Sequence, residues 1–314
     1  MSLRKGQNET TFERQGLQLG RDTRVKGLKS VRLCREYGWN RGDFLHFVPK
    51  DYKSFEAEFI FLEENMKVKE LVSFLYGIAP EDLKEDYDNV GLLVGDENAE
   101  ITGVLVSLDC FDEVVSRAED LNANLVVTHH PVIFEPLKSV TEQSLVYKLI
   151  NKGISVISMH TNLDKTEGGV NDALCAALGL FDVKTVITEE GFPIRVGELP
   201  EPEDPYTFAR TIKQALGGAV KFVPGNKDVL TVAVCSGSGG DFIYDAINFG
   251  ADALVTSDVK HHLFIEAGEN NISLYDAGHF NTEDVIVSPL CKDIATAFPS
   301  LPVFECHFSK IESV

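Results

Sequence analysis

Two adjacent histidines, His129 and His130, stand behind an apolar run and before a proline in Leu125-Val126-Val127-Thr128-His129-His130-Pro131. Such a run reads as a strand buried on both faces, and the residues just past its end are held rigidly at a sheet edge, open to a crevice. Imidazoles placed there are able to ligate metal. A second pattern occurs twice, as His160-Thr161-Asn162-Leu163-Asp164 and His279-Phe280-Asn281-Thr282-Glu283. Both read H-x-N-x-acid, and both follow a short apolar run. The candidate ligands are therefore His129, His130, His160, Asp164, His279 and Glu283. Imidazole nitrogen mixed with carboxylate oxygen suits zinc, iron, manganese, nickel or cobalt better than magnesium or calcium. A closed structural zinc needs only four ligands. Five or six, with two carboxylates able to bridge, point to two divalent metal ions per subunit, about 3.5–4 Å apart. A water or hydroxide bridging such a pair would be the nucleophile towards a phosphoryl, acyl or amidine-type centre. No G-x-S-x-G elbow is present, and no other nucleophile is required.

Several of these signals have a plainer reading. H-x-N-x-acid alone also suits an Asx turn capping a helix, but both copies keep His, Asn and an acid at one spacing. His160 either ligates or lines the cleft and orients a ligand from behind. His261 and His262 fall within a predicted helix, where adjacent side chains point about 100° apart, so the pair reads as surface or cleft-lining. Ser236-Gly237-Ser238-Gly239-Gly240 is either an anion nest or a strand–helix turn that needs small residues, and it lacks the lysine of a Walker loop. Gly191–Gly197 reads as a turn around Arg195.

The elements that must position these residues alternate. From Val68 to Ile78, apolar residues recur at helical spacing, and Pro80 ends the run. Asp88-Asn89 before Gly91 suggests a tight turn into a strand. Strands are predicted at Val104–Leu108, Leu125–Thr128 and Ile154–Ser158. Between and after them come helices at Asp112–Leu121, with Asp112 as N-cap, at Ser144–Lys152 with Gly153 as its stop, and at Gly169–Gly179. Residues 183–228 are the least periodic, broken by Pro193, Pro200, Pro202 and Pro205, with one helix at Thr207–Leu216. The pattern resumes with strands at Val229–Cys235, Ala253–Thr256 and Ile272–Tyr275. Helices follow each of them, at Asp241–Phe249, His261–Asn270 and Asp284–Phe298. Thr102–His130 and Leu230–Asp258 share strand–turn–helix–strand at an offset of 128, and His160…Asp164 matches His279…Glu283 at an offset of 119. The expected fold class is α/β, with two similar, pseudo-symmetric halves built from duplicated strand–helix–strand units and a metal cleft between them.

The 314 residues, 44% hydrophobic and 25% charged, are ordinary for a globular protein with a large core. No apolar run approaches bilayer length and no signal-peptide h-region opens the chain, so a cytoplasmic protein without a membrane partner is expected. Cys34, Cys110, Cys175, Cys235, Cys291 and Cys306 form no C-x-x-C pair and are expected to be reduced core residues. Of 29 basic and 49 acidic residues, residues 1–65 hold 12 and 10, which leaves 17 and 39 in the remainder, a charge of −22. Such a body repels phosphate backbones, which makes nucleic acid an unfavourable partner. Residues 1–65 lack the periodicity of the rest, apart from a candidate strand at Phe55–Leu62, and Met66-Lys67-Val68 reads as a natural chain start. They are expected to be an N-terminal extension outside the functional core, with a first half at 66–185 and a second at 186–314 whose C-terminal helix returns to the first.

Five blocks together resemble the NIF-three-like family, whose members are also called GTP cyclohydrolase I type 2 homologues. They are Asp88-Asn89-Val90-Gly91-Leu92, Thr128-His129-His130-Pro131, His160-Thr161-Asn162-Leu163-Asp164, Gly168-Gly169-Val170-Asn171-Asp172 and His279-Phe280-Asn281-Thr282-Glu283. The resemblance runs from about Met66 to the C-terminus and implies a dinuclear metal site. Its ligands would be His129, His130, Asp164, His279 and Glu283, with Asp164 and Glu283 as bridging candidates and His160 lining the cleft. It further implies a toroidal homohexamer, a trimer of dimers, in the short form without an inserted middle domain. One segment departs from the family pattern: Gly191-Phe192-Pro193-Ile194-Arg195 stands where a glycine-rich stretch is usual, which weakens an anion-binding role there. Two functions follow as expectations. One is a hydrolase acting on a small nucleotide-like or phosphorylated substrate. The other is a non-catalytic metal-binding protein, metallochaperone or regulatory adaptor that forms a ring.

Overall fold

The computed structural model describes residues 66–312 throughout and, before them, the backbone of three strands. The chain divides into two compact units, one ending at Asn65 and the other beginning at Met66. In the first, β1 (Lys29–Val31), β2 (Leu45–Pro49) and β3 (Ala57–Phe61) make an antiparallel sheet in that order. β3 lies within the candidate strand Phe55–Leu62 and pairs with β2.

The second unit opens with α1 (Val68–Ile78), whose helical spacing buries Val68, Leu71 and Leu75 on one face. Five strands form its first sheet: β4 (Gly91–Val94), β5 (Val104–Ser107), β6 (Leu125–Thr128), β7 (Ser155–Ser158) and the last strand of the chain, β14 (Val303–Cys306). Their order is β14-β5-β6-β7-β4. β14, β5, β6 and β7 run parallel, and β4 returns antiparallel. Every residue of β5, β6 and β7 is buried, as expected of parallel strands covered on both faces. The connections are α2 (Asp112–Asp120) and α3 (Leu145–Lys152). Phe111 rather than Asp112 is the N-cap of α2; Asp112 is its first helical residue, and its carboxylate is held by Lys148. Gly153 ends α3 at φ +67, a conformation that glycine adopts without strain. α4 (Thr161–Lys165) and α5 (Val170–Ala177) follow β7.

The second sheet contains β8 (Phe181–Ile187), β9 (Pro193–Glu203), β10 (Lys221–Val223), β11 (Val229–Val234), β12 (Ala253–Thr256) and β13 (Ser273–Asp276). Their order is β10-β13-β12-β11-β9-β8, with β11, β12 and β13 parallel and the outer strands antiparallel. The aperiodic stretch thus contains β9, an 11-residue strand. Its prolines mask it without breaking it. Pro193 is its first residue, while Pro200 and Pro202 lie where the ladder to β11 is irregular and beyond the last pairing with β8 at Glu198. Their missing N–H groups therefore remove no regular bond. α6 (Pro205–Leu216) is capped by Asp204, α7 (Ile243–Asn248) and α8 (His261–Glu269) connect the parallel strands, and α9 (His279–Glu283) follows β13. A 3-10 turn at Asp284–Ile286 then leads into α10 (Val287–Ala297).

β5-β6-β7-α4 and β11-β12-β13-α9 are therefore two versions of one unit. The sheets cut the chain less simply than a break after residue 185, because β8 begins at Phe181 and β14 joins the first sheet. α10 also packs into the core of the first half, with Leu290 and Ile294 beside Val104, Leu125 and Leu75. Cys175, Cys235 and Cys291 are buried, Cys110 and Cys306 half-buried, and all five are free; Cys34 lies outside the described residues.

Candidate metal centre

Each half delivers side chains from its strand tips and from the five-residue helix beyond. α4 and α9 are too short to stand alone. In both copies the asparagine of the motif pins the turn to the end of a longer helix. Asn162 donates to the Ala79 carbonyl at the C-cap of α1, and Asn281 donates to the carbonyl of Leu216, the last residue of α6. The H-x-N-x-acid spacing is therefore a docking device, and the asparagine is not the Asx-turn cap that a single copy suggests. The histidine and the acid, one turn apart, then face the same way.

All six candidate ligands come together. Three groups have ligand atoms within 4.8 Å of one another: His129, His130 and His160; His130, His279 and Glu283; His129, Asp164 and Glu283. Glu283 Oε2 lies 2.9 Å from His130 Nε2, 3.0 Å from His279 Nε2 and 3.9 Å from His129 Nε2. His129 Nε2 is 3.6 Å from Asp164 Oδ1. The two halves meet here, since His279 and Glu283 belong to one and the other four residues to its counterpart.

The far nitrogen of every one of these histidines is fixed. A carboxylate or carbonyl oxygen can only accept, so Nδ1–H donates in each case. His130 donates to Asp109 at 2.7 Å, His160 to Asp88 at 2.7 Å, His279 to Asp258 at 2.7 Å and His129 to the Met159 carbonyl at 2.8 Å. This sets the tautomer and turns Nε2 inward, the usual support for a metal-binding imidazole. Asp88, Asp109 and Asp258, which hold these rings, are not singled out in the sequence except as turn formers. Their signal was position: Asp109 and Asp258 each follow a strand tip, and Asp88 opens the turn into β4.

Burial pushes the His129 imidazole down to about 3, so it is neutral, and its Nε2 has no hydrogen-bond partner although it is buried. Burial also disfavours a charge on His130, but Asp109 and Glu283 overcome this and hold it up at about 10. The bond to Glu283 raises His279 to about 9 against the opposing effect of burial. Glu283 is itself buried, yet His130 and His279 hold its carboxyl well below the usual carboxylate range. Burial and the neighbouring charge of Glu283 push Asp164 well above it.

The Ser236–Gly240 turn packs behind this cluster. Gly237 has φ +60, and a Cβ there would collide with the Glu283 carboxylate and approach the His279 ring. Its N–H donates to Thr282, and its carbonyl accepts from Ser257. The small residues thus admit Glu283, and the turn's backbone is engaged by protein. Asn171 ties the halves together, donating to the Asp164 carbonyl and accepting from Ser236 N–H. Arg195 lies in β9, in a strand where a turn was expected. It is 1% exposed and forms a two-pronged bond with Asp172 and a third with the Thr166 carbonyl. His261 and His262 are exposed at the start of α8, outside all three ligand groups.

The sequence model of Duf34/NIF3 (NGG1p interacting factor 3) matches residues 66–313. The chain belongs to this family. Among Duf34/NIF3 relatives, it is 37% identical over 229 residues to the GTP cyclohydrolase 1 type 2 homolog of Clostridium perfringens, covering 69% of this chain and 87% of that one. With the homolog of that name from Clostridium acetobutylicum it shares 34% over 251 residues, 76% and 93% of the two chains. The crystal structure of Staphylococcus aureus hypothetical protein SA1388 superposes with a TM-score of 0.75 at 28% identity, covering 80% of this chain and all of that one. Reduced HcgD from Methanocaldococcus jannaschii gives 0.66 at 28% identity, covering 77% and 98%. The family match begins at Met66, where the second compact unit begins. Among the described residues, no helix is long and apolar enough to cross a membrane.

Proposed function

We propose that the cleft holds two divalent metal ions and that the protein is a metal-dependent hydrolase acting on a small nucleotide-like or phosphorylated compound. The observation that carries this reading is the shared carboxylate: Glu283 belongs both to the group with His130 and His279 and to the group with His129 and Asp164. Two further features of the donor set fit a cation. The buried lone pair of His129 Nε2 has no partner in the protein. His130 Nε2 and His279 Nε2 face each other at 3.3 Å and both face Glu283 Oε2, with both Nδ1 atoms already donating, so three donor atoms converge where a cation would sit.

His130, His279 and Glu283 would hold one ion, and His129, Asp164 and Glu283 the other, with His160 at the cleft wall. The donor chemistry suits zinc, iron, manganese, nickel or cobalt. When bound, such a pair supplies Lewis acidity that activates water and steadies negative charge developing on a substrate oxygen. The chain's own part is to fix geometry. Asp109, Asp258 and the Met159 carbonyl hold the ligating rings, and Gly237 leaves room for the Glu283 carboxylate. The name carried by the Clostridium relatives directs the choice of substrate towards nucleotides. A ring of six copies, a trimer of dimers, also belongs to this proposal. The outer edge of β8, with Phe181 and Ile187 44% and 57% exposed, supports self-association.

Elemental analysis of protein purified without chelator should give about two metal equivalents per chain. A screen of nucleotides and phosphoesters with each candidate metal restored should then yield turnover. Two equivalents without turnover would favour the metal-binding or adaptor reading. No metal under any of these conditions would overturn both. Light scattering at micromolar concentration tests the ring, which a monomer mass would exclude.

A further inference from the structure

We propose that Phe134 and Tyr87 form a stacking platform at the lip of the cleft for a planar heteroaromatic ring, such as a purine or pterin base; this rests on the hydrolase reading and narrows its substrate class. Phe134 is 46% exposed and Tyr87 68% exposed, so the pair leaves aromatic surface open to solvent. Their centroids are 6.3 Å apart at 63°, and Phe134 in turn lies nearly perpendicular to the His160 ring at 6.1 Å and 88°. His160 lies 5.2 Å from His129 and 5.7 Å from His130. Aromatic surface therefore runs without a break from solvent to the ligand cluster.

The platform is also held in place. Asn89 Nδ2 donates to the Ile133 carbonyl at 2.6 Å, which joins the turn carrying Tyr87 to the loop carrying Phe134. Asp88, between Tyr87 and Asn89, holds His160. One fixed constellation thus sets the distance from the lip to the cleft. Stacking on Phe134 would place the polar edge of a flat ring towards the imidazoles and carboxylates within. An aliphatic or sugar ligand offers no π-face to match these rings. The charge of −22 on residues 66–314 and the acidic Asp86 and Glu135 beside the lip favour a neutral or electron-poor ring over a chain of phosphates as the group bound here.

The test is equilibrium binding of guanosine and of ribose 5-phosphate by the full-length protein, with metal content measured on the same samples. Phe134→Ala should weaken guanosine binding about tenfold, Tyr87→Ala less, and Phe134→Trp should preserve it. Metal content and ribose 5-phosphate binding should not change. The platform is overturned if wild-type protein does not bind guanosine, if Phe134→Ala binds it as well as wild type does, or if ribose 5-phosphate binding falls in parallel. A protein that loses guanosine binding with Phe134→Ala yet never contains metal would overturn the metal reading and leave the platform standing.

Discussion

The two halves use one scaffold for unequal tasks. In the first, β6 ends in Thr128-His129-His130; in the second, β12 ends at the equivalent positions in Thr256-Ser257-Asp258. Both threonines sit at the same place in the sheet, yet only the first tip faces the cluster with imidazoles. The second tip works in support: Ser257 fastens the turn that admits Glu283, and Asp258 fixes His279. The helices beyond remain alike, each giving a histidine and an acid and each docked through its asparagine. The two halves thus share the helices that give a histidine and an acid and differ at the strand tips. The physical reason is that a strand buried on both faces tolerates little change, whereas its tip lies outside the packed layers.

This division predicts a graded response to substitution. Glu283 alone belongs to both the His130–His279 and the His129–Asp164 groups, so Glu283→Ala should have the largest effect. We expect loss of both metal equivalents, where His279→Ala removes one; elemental analysis distinguishes the two. An equal loss in both variants would show that the halves do not share a carboxylate. Next come the supporting carboxylates. Asp109→Asn and Asp258→Asn should each lower metal affinity by about 10–100-fold in chelator competition, as removal of a ring-orienting partner usually does. An effect at Asp109 alone would mean that the second tip is only structural.

A pH series sharpens the contrast between ligands. His130 and His279, raised to about 10 and 9, are protonated at neutral pH in metal-free protein, whereas His129, depressed to about 3, is not. Metal must displace the protons of the first two, so its affinity should climb with pH until about 9–10, with about two protons released near pH 7 in weakly buffered calorimetry. In the metal-free state these raised groups contribute stability that is complete below their unfolded value near 6.5 and is lost as the pH rises through 9–10. A metal affinity independent of pH would contradict this ordering. The smallest effects belong to the docking asparagines. Asn162→Ala and Asn281→Ala should each cost about 1 kcal/mol in thermal unfolding, because each leaves one helix-end carbonyl unpaired. A large difference between them would show that the two short helices are docked by different means.

The strand tips were legible because buried parallel strands are short, apolar and sharply ended, and the repeated H-x-N-x-acid motif placed a histidine and an acid one turn apart. β9 was hidden by prolines placed at irregularities of its ladder, and β14, no shorter than β5 to β7, by its half-exposed residues and the charge of Glu305. Arg195 looked like a turn residue because neighbouring glycine and proline outweighed the signal of a lone buried charge. Its partner Asp172, 23 residues away, is visible only in space.

From the sequence alone follow the residue types at the strand tips, the duplication and its offsets, and the choice of nitrogen and oxygen donors, since each depends on local pattern and periodicity. Only the tertiary structure decided that Glu283 crosses to His129 and His130 of the other half, that Asp88, Asp109 and Asp258 hold the rings, and that Gly237 leaves room for them. Those relations join residues up to 154 positions apart in the chain, as Glu283 and His129 are. They depend on how two sheets and their helices pack, and no local pattern encodes that distance.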